Sequence, residues 1–123
     1  MQRLIFAAAL GLASGSALAF GMPCDKPEYL QLKSADKSEL QQEFCSATRK
    51  HSLNMKLRDG NEEGISRLRA IGADVSKHVK QSQDDLDAAQ SCTRAAAAFA
   101  GALERRFKSK PPAVKACLSP GGI

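Results

Sequence analysis

Cys24, Cys45, Cys92 and Cys117 have the widest choice of chemistry in this chain: nucleophile, metal ligand, redox couple or cross-link. No two of them form a C-x-x-C pair, the spacing that lowers a thiol pKa for redox exchange or grips zinc. Nucleophilic catalysis would need a histidine placed beside a thiol. The chain has two histidines, His51 and His78. His51 falls within an apolar stripe and His78 flanks another. A chain bend near Gly60 would set them about 13 Å apart along the bundle, too far to share a metal. Both read as structural. Asp84, Asp85 and Asp87, in "DDLD", could serve as an acid–base pair or a cation site, but a helix start explains them without either.

Other catalytic signatures are missing. There is no G-x-S-x-G, no H-E-x-x-H, no phosphate-cradling P-loop and no C-x-x-C-H. The sequence therefore points to no catalytic residue, no metal site and no cofactor, and to a protein that is not an enzyme. The cysteines are left with cross-linking, which requires an oxidising compartment.

The first twenty residues point to such a compartment. "MQRLIFAAALGLASGSALAF" carries Arg3, then an apolar run from Leu4 to about Leu12, then Ala17-Leu18-Ala19. That is the layout of a cleavable signal, and its apolar run is too short to span a bilayer. Residues 1–19 are expected to be a signal peptide and residues 20–123 one helical domain, periplasmic or secreted. No transmembrane segment is expected after cleavage. Aromatics are scarce and tryptophan is absent, so the core must be built from aliphatic side chains and alanine.

Apolar spacing by three and four runs through the chain. Leu40, Phe44, Ala47, His51 and Met55 form one stripe. Ile65, Leu68, Gly72, Val75, Val79, Ser82, Leu86, Ala89, Thr93, Ala96, Ala100, Leu103 and Phe107 form a second. No segment alternates as a half-buried strand would. "RDGNEEG", Arg58–Gly64, reads as the main turn, and Pro111-Pro112 as a helix stop. Charge divides the helices further, because carboxylates suit a helix start and cations its end. Asp36 and Glu39 open a first helix that Lys56 and Arg58 close. Asn61, Glu62 and Glu63 open a second that Lys77, His78 and Lys80 close. Ser82, Asp84 and Asp85 open a third, closed by Arg105, Arg106, Lys108 and Lys110. A short helix over Lys26–Leu32 precedes them. The expected fold is all-α: a three-helix bundle, with room for short terminal helices, stapled by two disulfides.

Helix geometry constrains the pairing. If residues 61–107 were one helix folded back at Gly60, Cys92 would lie about 25 Å beyond the point opposite Cys45. Cys117 could not reach Cys45 either, since its ten-residue tether spans at most about 35 Å. A joint near Ser82 removes the difficulty and is favoured over the continuous helix. Cys24–Cys92 fits both architectures; Cys45–Cys117 follows by elimination. Cys45–Cys92 with Cys24–Cys117 also fits three helices and stays open.

One cluster is a candidate partner site. Arg105, Arg106, Lys108 and Lys110 crowd "ERRFKSK", in a chain of net charge +5. The plain reading is a solvated helix end; the functional reading is a contact for an anionic partner. Such a partner would be a protein with an acidic surface, or an anionic envelope component such as lipid or cell wall. Nucleic acid is disfavoured by export and by the lack of aromatics on which bases stack. The expected function is an exported, non-enzymatic binding protein of the periplasmic inhibitor or immunity type, with a structural or surface-binding envelope protein as the alternative.

Overall fold

The computed structural model describes residues 21–119, so the expected signal segment, residues 1–19, lies outside the described residues. Four helices follow in order: α1, Tyr29–Ser34; α2, Lys37–Ala70; α3, Ser76–Phe107; and α4, Val114–Leu118. There is no strand among the described residues. The fold is all-α and stapled by two disulfides, as the sequence indicated. Its helices are divided differently: two long helices form an antiparallel hairpin, and the two short ones pack on its open end.

The start of α2 lies where the charges put it. Asp36 Oδ1 accepts from the Glu39 amide at 2.8 Å, and Glu39 Oε1 accepts from the Asp36 amide at 3.4 Å. This reciprocal box satisfies two backbone donors that the helix itself leaves orphaned.

The expected turn at Arg58–Gly64 does not exist: α2 runs straight through it to Ala70. Gly60 and Gly64 adopt no left-handed backbone; Gly72 does, with φ +75°. There the Gly72 amide donates to Arg69 O and the Ala73 amide to Leu68 O, each at 3.0 Å. This pair of bonds satisfies carbonyls at the helix end and requires a residue without a Cβ penalty at Gly72. Asp74 then turns the chain into α3, its Oδ1 accepting from the Ser76 amide at 3.0 Å and hydroxyl at 2.7 Å. The carboxylates read as the start of a second helix make side-chain contacts instead. Glu63 pairs with Arg67 one turn on, and Glu62 accepts from the Ser82 hydroxyl across the hairpin.

The joint expected at Ser82 is also absent, since α3 is continuous. Ser82 is buried within it and bonded to α2, not capping a new helix. The cations at its start, Lys77 and Lys80, oppose the helix dipole; Lys80 is compensated by Asp84 at 3.2 Å. The buried stripe is wider than the expected one: Ser82, Ala89 and Leu103 are buried as expected, but the stripe extends one residue further round the helix. Asp85, Ala88, Cys92, Ala95, Phe99 and Ala102 face inward, while Thr93 and Phe107 face solvent.

Moving the bend to Gly72 resolves the cysteine geometry without a third long helix. Cys45 now faces the last part of α3, and the chain after Phe107 doubles back so that α4 lies against α2. Cys24 pairs with Cys92 and Cys45 with Cys117, the first-choice connectivity. Around Cys45–Cys117 sits the apolar core of Leu40, Phe44, Ala95, Phe99, Ala102 and Leu103. Toward the bend the interior turns polar: Asn54, Gln81, Ser82 and Asp85 are all buried.

The segment before α1 is held without secondary structure. Fully buried Asn54 accepts from the Met22 amide at 2.7 Å and donates to Met22 O at 3.0 Å, copying the bonds of a neighbouring strand. The Cys24 amide donates to Ser91 Oγ at 2.9 Å beside the Cys24–Cys92 bridge.

A Cβ at Gly60 or Gly64 would meet open space. Gly60→Ala and Gly64→Ala should each stabilise by about 0.5–1 kcal/mol in chemical denaturation, because both sit inside a helix. A loss of stability in both would restore the turn at Arg58–Gly64. Reduction should lower the melting temperature by tens of degrees or unfold the chain, at about 2–4 kcal/mol per bridge and about 4–8 °C per kcal/mol. Acid acts at the bend. The Ser76 hydroxyl and amide hold the Asp74 carboxyl below the usual carboxylate range. A depressed folded-state pKa contributes stability above the unfolded value and loses it as pH falls through the folded one. Ser76→Ala should therefore move the Asp74 titration, followed by NMR, upward toward that of an ordinary aspartate.

Candidate functional site

The four expected partner-binding cations are brought together at the end of α3, and all are exposed. They are not equivalent. Arg106 Nη1 donates to Leu32 O at 3.0 Å, and its guanidinium stacks 4.7 Å from the Phe107 ring centre. Arg106 thus ties α1 to α3 as well as presenting charge. Arg105 folds back along its own helix, where Gly101 makes room: a Cβ there would come within 2.9 Å of Nη1. Lys108 caps the helix in the left-handed region at φ 52°, its amide donating to Glu104 O at 3.0 Å. Glycine is the usual residue there, and a side chain costs about 1 kcal/mol. Lys110 follows in the loop that leads to α4.

That loop joins the cationic end to an apolar groove. The groove opens between α2 and α3 and has a volume of about 510 Å³. Phe44 and Met55 from α2 and Ala96 from α3 line its walls, and Val114 and Leu118 of α4 line its edge. Those two side chains stay 54% and 44% exposed, although Cys117 between them is buried and bonded to Cys45. The bridge therefore holds two apolar side chains in water beside a concave surface. Sequence reading missed this edge. Its signal was Val114 and Leu118 at i, i+4 around a cysteine that had to face inward.

Of the remaining chemistry-bearing residues, His51 lines the groove. His51 Nδ1 lies 3.1 Å from Ala89 O and 3.1 Å from Thr93 Oγ1. A carbonyl can only accept, so Nδ1 carries the hydrogen and the ring is oriented by α3. His78 lies near the bend, where its carbonyl accepts from Asn61 Nδ2. Its Nδ1 is buried with no partner among the described residues. Asn61, which bonds the His78 carbonyl, lies ten residues along α2 from His51, an axial rise of about 15 Å. No group of three or more His, Cys, Asp or Glu among the described residues could hold a metal ion. The acidic run is split by the helix: Asp84 pairs with Lys80 on the surface, whereas Asp85 is buried with Gln81. Reading all of "DDLD" as a helix start missed the burial of Asp85, because acidic residues are so rarely interior.

Two disulfides point to an oxidising compartment. No helix among the described residues is long and apolar enough to cross a membrane. No family model matches the chain, and neither a curated protein nor a solved structure does.

Proposed function

We propose that this is an exported binding protein of the inhibitor or immunity type, which acts by occupying a protein partner and not by catalysis. One observation carries the reading: a disulfide-fixed edge, Val114 and Leu118, stands beside an open groove and is joined by a short loop to a cationic helix end. An apolar centre flanked by charge is the anatomy of a protein interface, in which buried anchors supply affinity and rim charges supply steering. The groove's own charges, Lys56 and Asp59, offset one another, so the cations of α3 set the sign. The partner is therefore a protein with an acidic surface and an apolar side chain to insert. Lys108 supports the same reading, since glycine would close the helix at lower conformational cost.

Affinity capture from the periplasmic or secreted fraction, followed by binding measurements with the purified partner, tests this. Arg105→Glu with Arg106→Glu should abolish binding at physiological salt, where charges act over roughly 8 Å. Each acid at a helix C-terminus opposes the dipole by about 0.3–1 kcal/mol, and Arg106→Glu also removes the bond to Leu32 O, so melting should fall. Lys108→Gly should do the reverse, stabilising the fold by about 1 kcal/mol while weakening the complex. Full affinity in both variants would show the cations to be only a helix terminus. Retention on anionic vesicles or cell wall, with no protein captured, would favour the envelope-surface reading instead.

A further inference from the structure

One nitrogen of His51 is held and the other is left to the groove. Nδ1 lies 3.1 Å from both Ala89 O and Thr93 Oγ1. The Thr93 hydroxyl donates its own hydrogen to Ala89 O at 3.2 Å, so toward the ring it acts as an acceptor. Two acceptors on α3 thus fix the hydrogen on Nδ1, and in the neutral ring Nε2 is an acceptor. Among the described residues no hydrogen bond reaches Nε2, and it is not a buried orphan. Thr48 and Ser52 also line the groove, but a hydroxyl donates or accepts and fixes no polarity. Around this oriented acceptor the walls suit a ring. Phe44 and Met55 stand on the same stripe of α2 as His51, and the Cys24–Cys92 bridge reaches the groove at Cys92. A phenyl ring packs edge-to-face on another aromatic, and a thioether sulfur favours the edge of a ring. A space of about 510 Å³ lies in the range that holds such a group.

We propose that the groove seats a tyrosine or tryptophan side chain of the protein partner, with His51 Nε2 accepting its O–H or N–H. The proposal rests on the partner-binding reading above and specifies the side chain that is inserted. Both residues have an apolar body and a single polar end, and both are common anchors of protein interfaces. Phenylalanine or leucine would fill the same walls but cover Nε2 without pairing it, which leaves a desolvated acceptor. Charge complementarity selects the surroundings of the anchor. Arg105, Arg106, Lys108 and Lys110 are exposed beyond the loop that leads to α4, so carboxylates flanking the aromatic residue would face them. His51 is thus the residue that sets which anchor is accepted, and the cations set which surface delivers it.

The test titrates the oxidised protein with p-cresol and skatole, the side chains of tyrosine and tryptophan. Their O-methyl and N-methyl forms, which keep the ring and lose the donor, are titrated beside them. Methyl resonances of Met55, Val114 and Leu118 report entry into the groove, and the Nε2 resonance of His51 reports the bond. Both donors should move Nε2, and each should bind about fivefold more tightly than its methylated form. In His51→Phe, which keeps a ring at the position, that preference should vanish. The comparison of probes on the unmodified protein stands by itself if the variant does not fold. Saturating skatole should also displace the protein partner recovered by affinity capture. Equal binding of donor and methylated forms, or an Nε2 resonance that stays in place, overturns the aromatic anchor. The partner-binding reading survives that result, because it is tested by capture and by Arg105→Glu with Arg106→Glu. A preference for the donors with no protein captured, or with a partner that skatole leaves bound, overturns the assignment to a partner's side chain and makes the groove a site for a free aromatic donor.

Discussion

Two antiparallel helices can bury only the faces they turn toward each other, and everything else in this molecule depends on that constraint. The shared seam of α2 and α3 is lined largely by small residues, Ala47, Ala88, Ala89, Ala95 and Ala102, which let the helices approach closely but exclude little water. Leu40, Phe44, Phe99 and Leu103, larger apolar side chains, gather at the open end of the hairpin, while Ile65 is buried toward the bend. A hairpin of this kind needs cover on its outer sides, and the terminal segments supply it. Neither segment buries enough of its own surface to stay in place, and each is fixed by one disulfide.

The other half of the seam solves a different problem. From Asn54 to the bend, buried positions are mostly polar, and their bonds run between specific atoms: Asn54 to Met22, Glu62 to Ser82, Asn61 to His78, Gln81 to Asp85. A seam of alanines could slide by a turn at little cost. The bonds that cross it, Glu62 to Ser82 and Asn61 to His78, cannot, because a one-turn slip would part them, whereas Gln81 to Asp85 stays within α3. The apolar half thus supplies cohesion and the polar half supplies register.

Much of this was legible in the residues. The helix start at Asp36 and Glu39 and the helical periodicity followed from spacing, whereas Cys24–Cys92 with Cys45–Cys117 was the first choice of two open pairings, reached through a joint at Ser82 that the structure lacks. The turn was not legible, because glycine is ambiguous. Gly60 and Gly64 look like breakers beside Asp59 and Asn61, yet each costs a helix only about 1 kcal/mol, which the packing of flanking turns offsets. Gly72 was read as a seam position because its neighbours keep the helical spacing. Only the left-handed backbone there, followed by the Asp74–Ser76 turn, marks it as the bend. That misplacement, together with the charges of Lys77–Asp85 read as one helix ending and another beginning, produced the expected joint at Ser82. The candidate site divided likewise: its cations were visible as a run of charge, whereas the groove edge depends on how α4 is folded back, which no local pattern encodes.

The two bridges interleave along the chain, since Cys45 lies inside the loop closed by Cys24–Cys92 and Cys117 lies outside it. A peptide bond cut anywhere between Cys24 and Cys117 therefore leaves one molecule, because at least one bridge always spans the cut. Between Cys45 and Cys92 both do, and that stretch contains the bend, where Ile71 is 78% exposed and Arg69 and Lys77 offer cleavage points. A cut at this exposed bend would leave both bridges holding the two halves together.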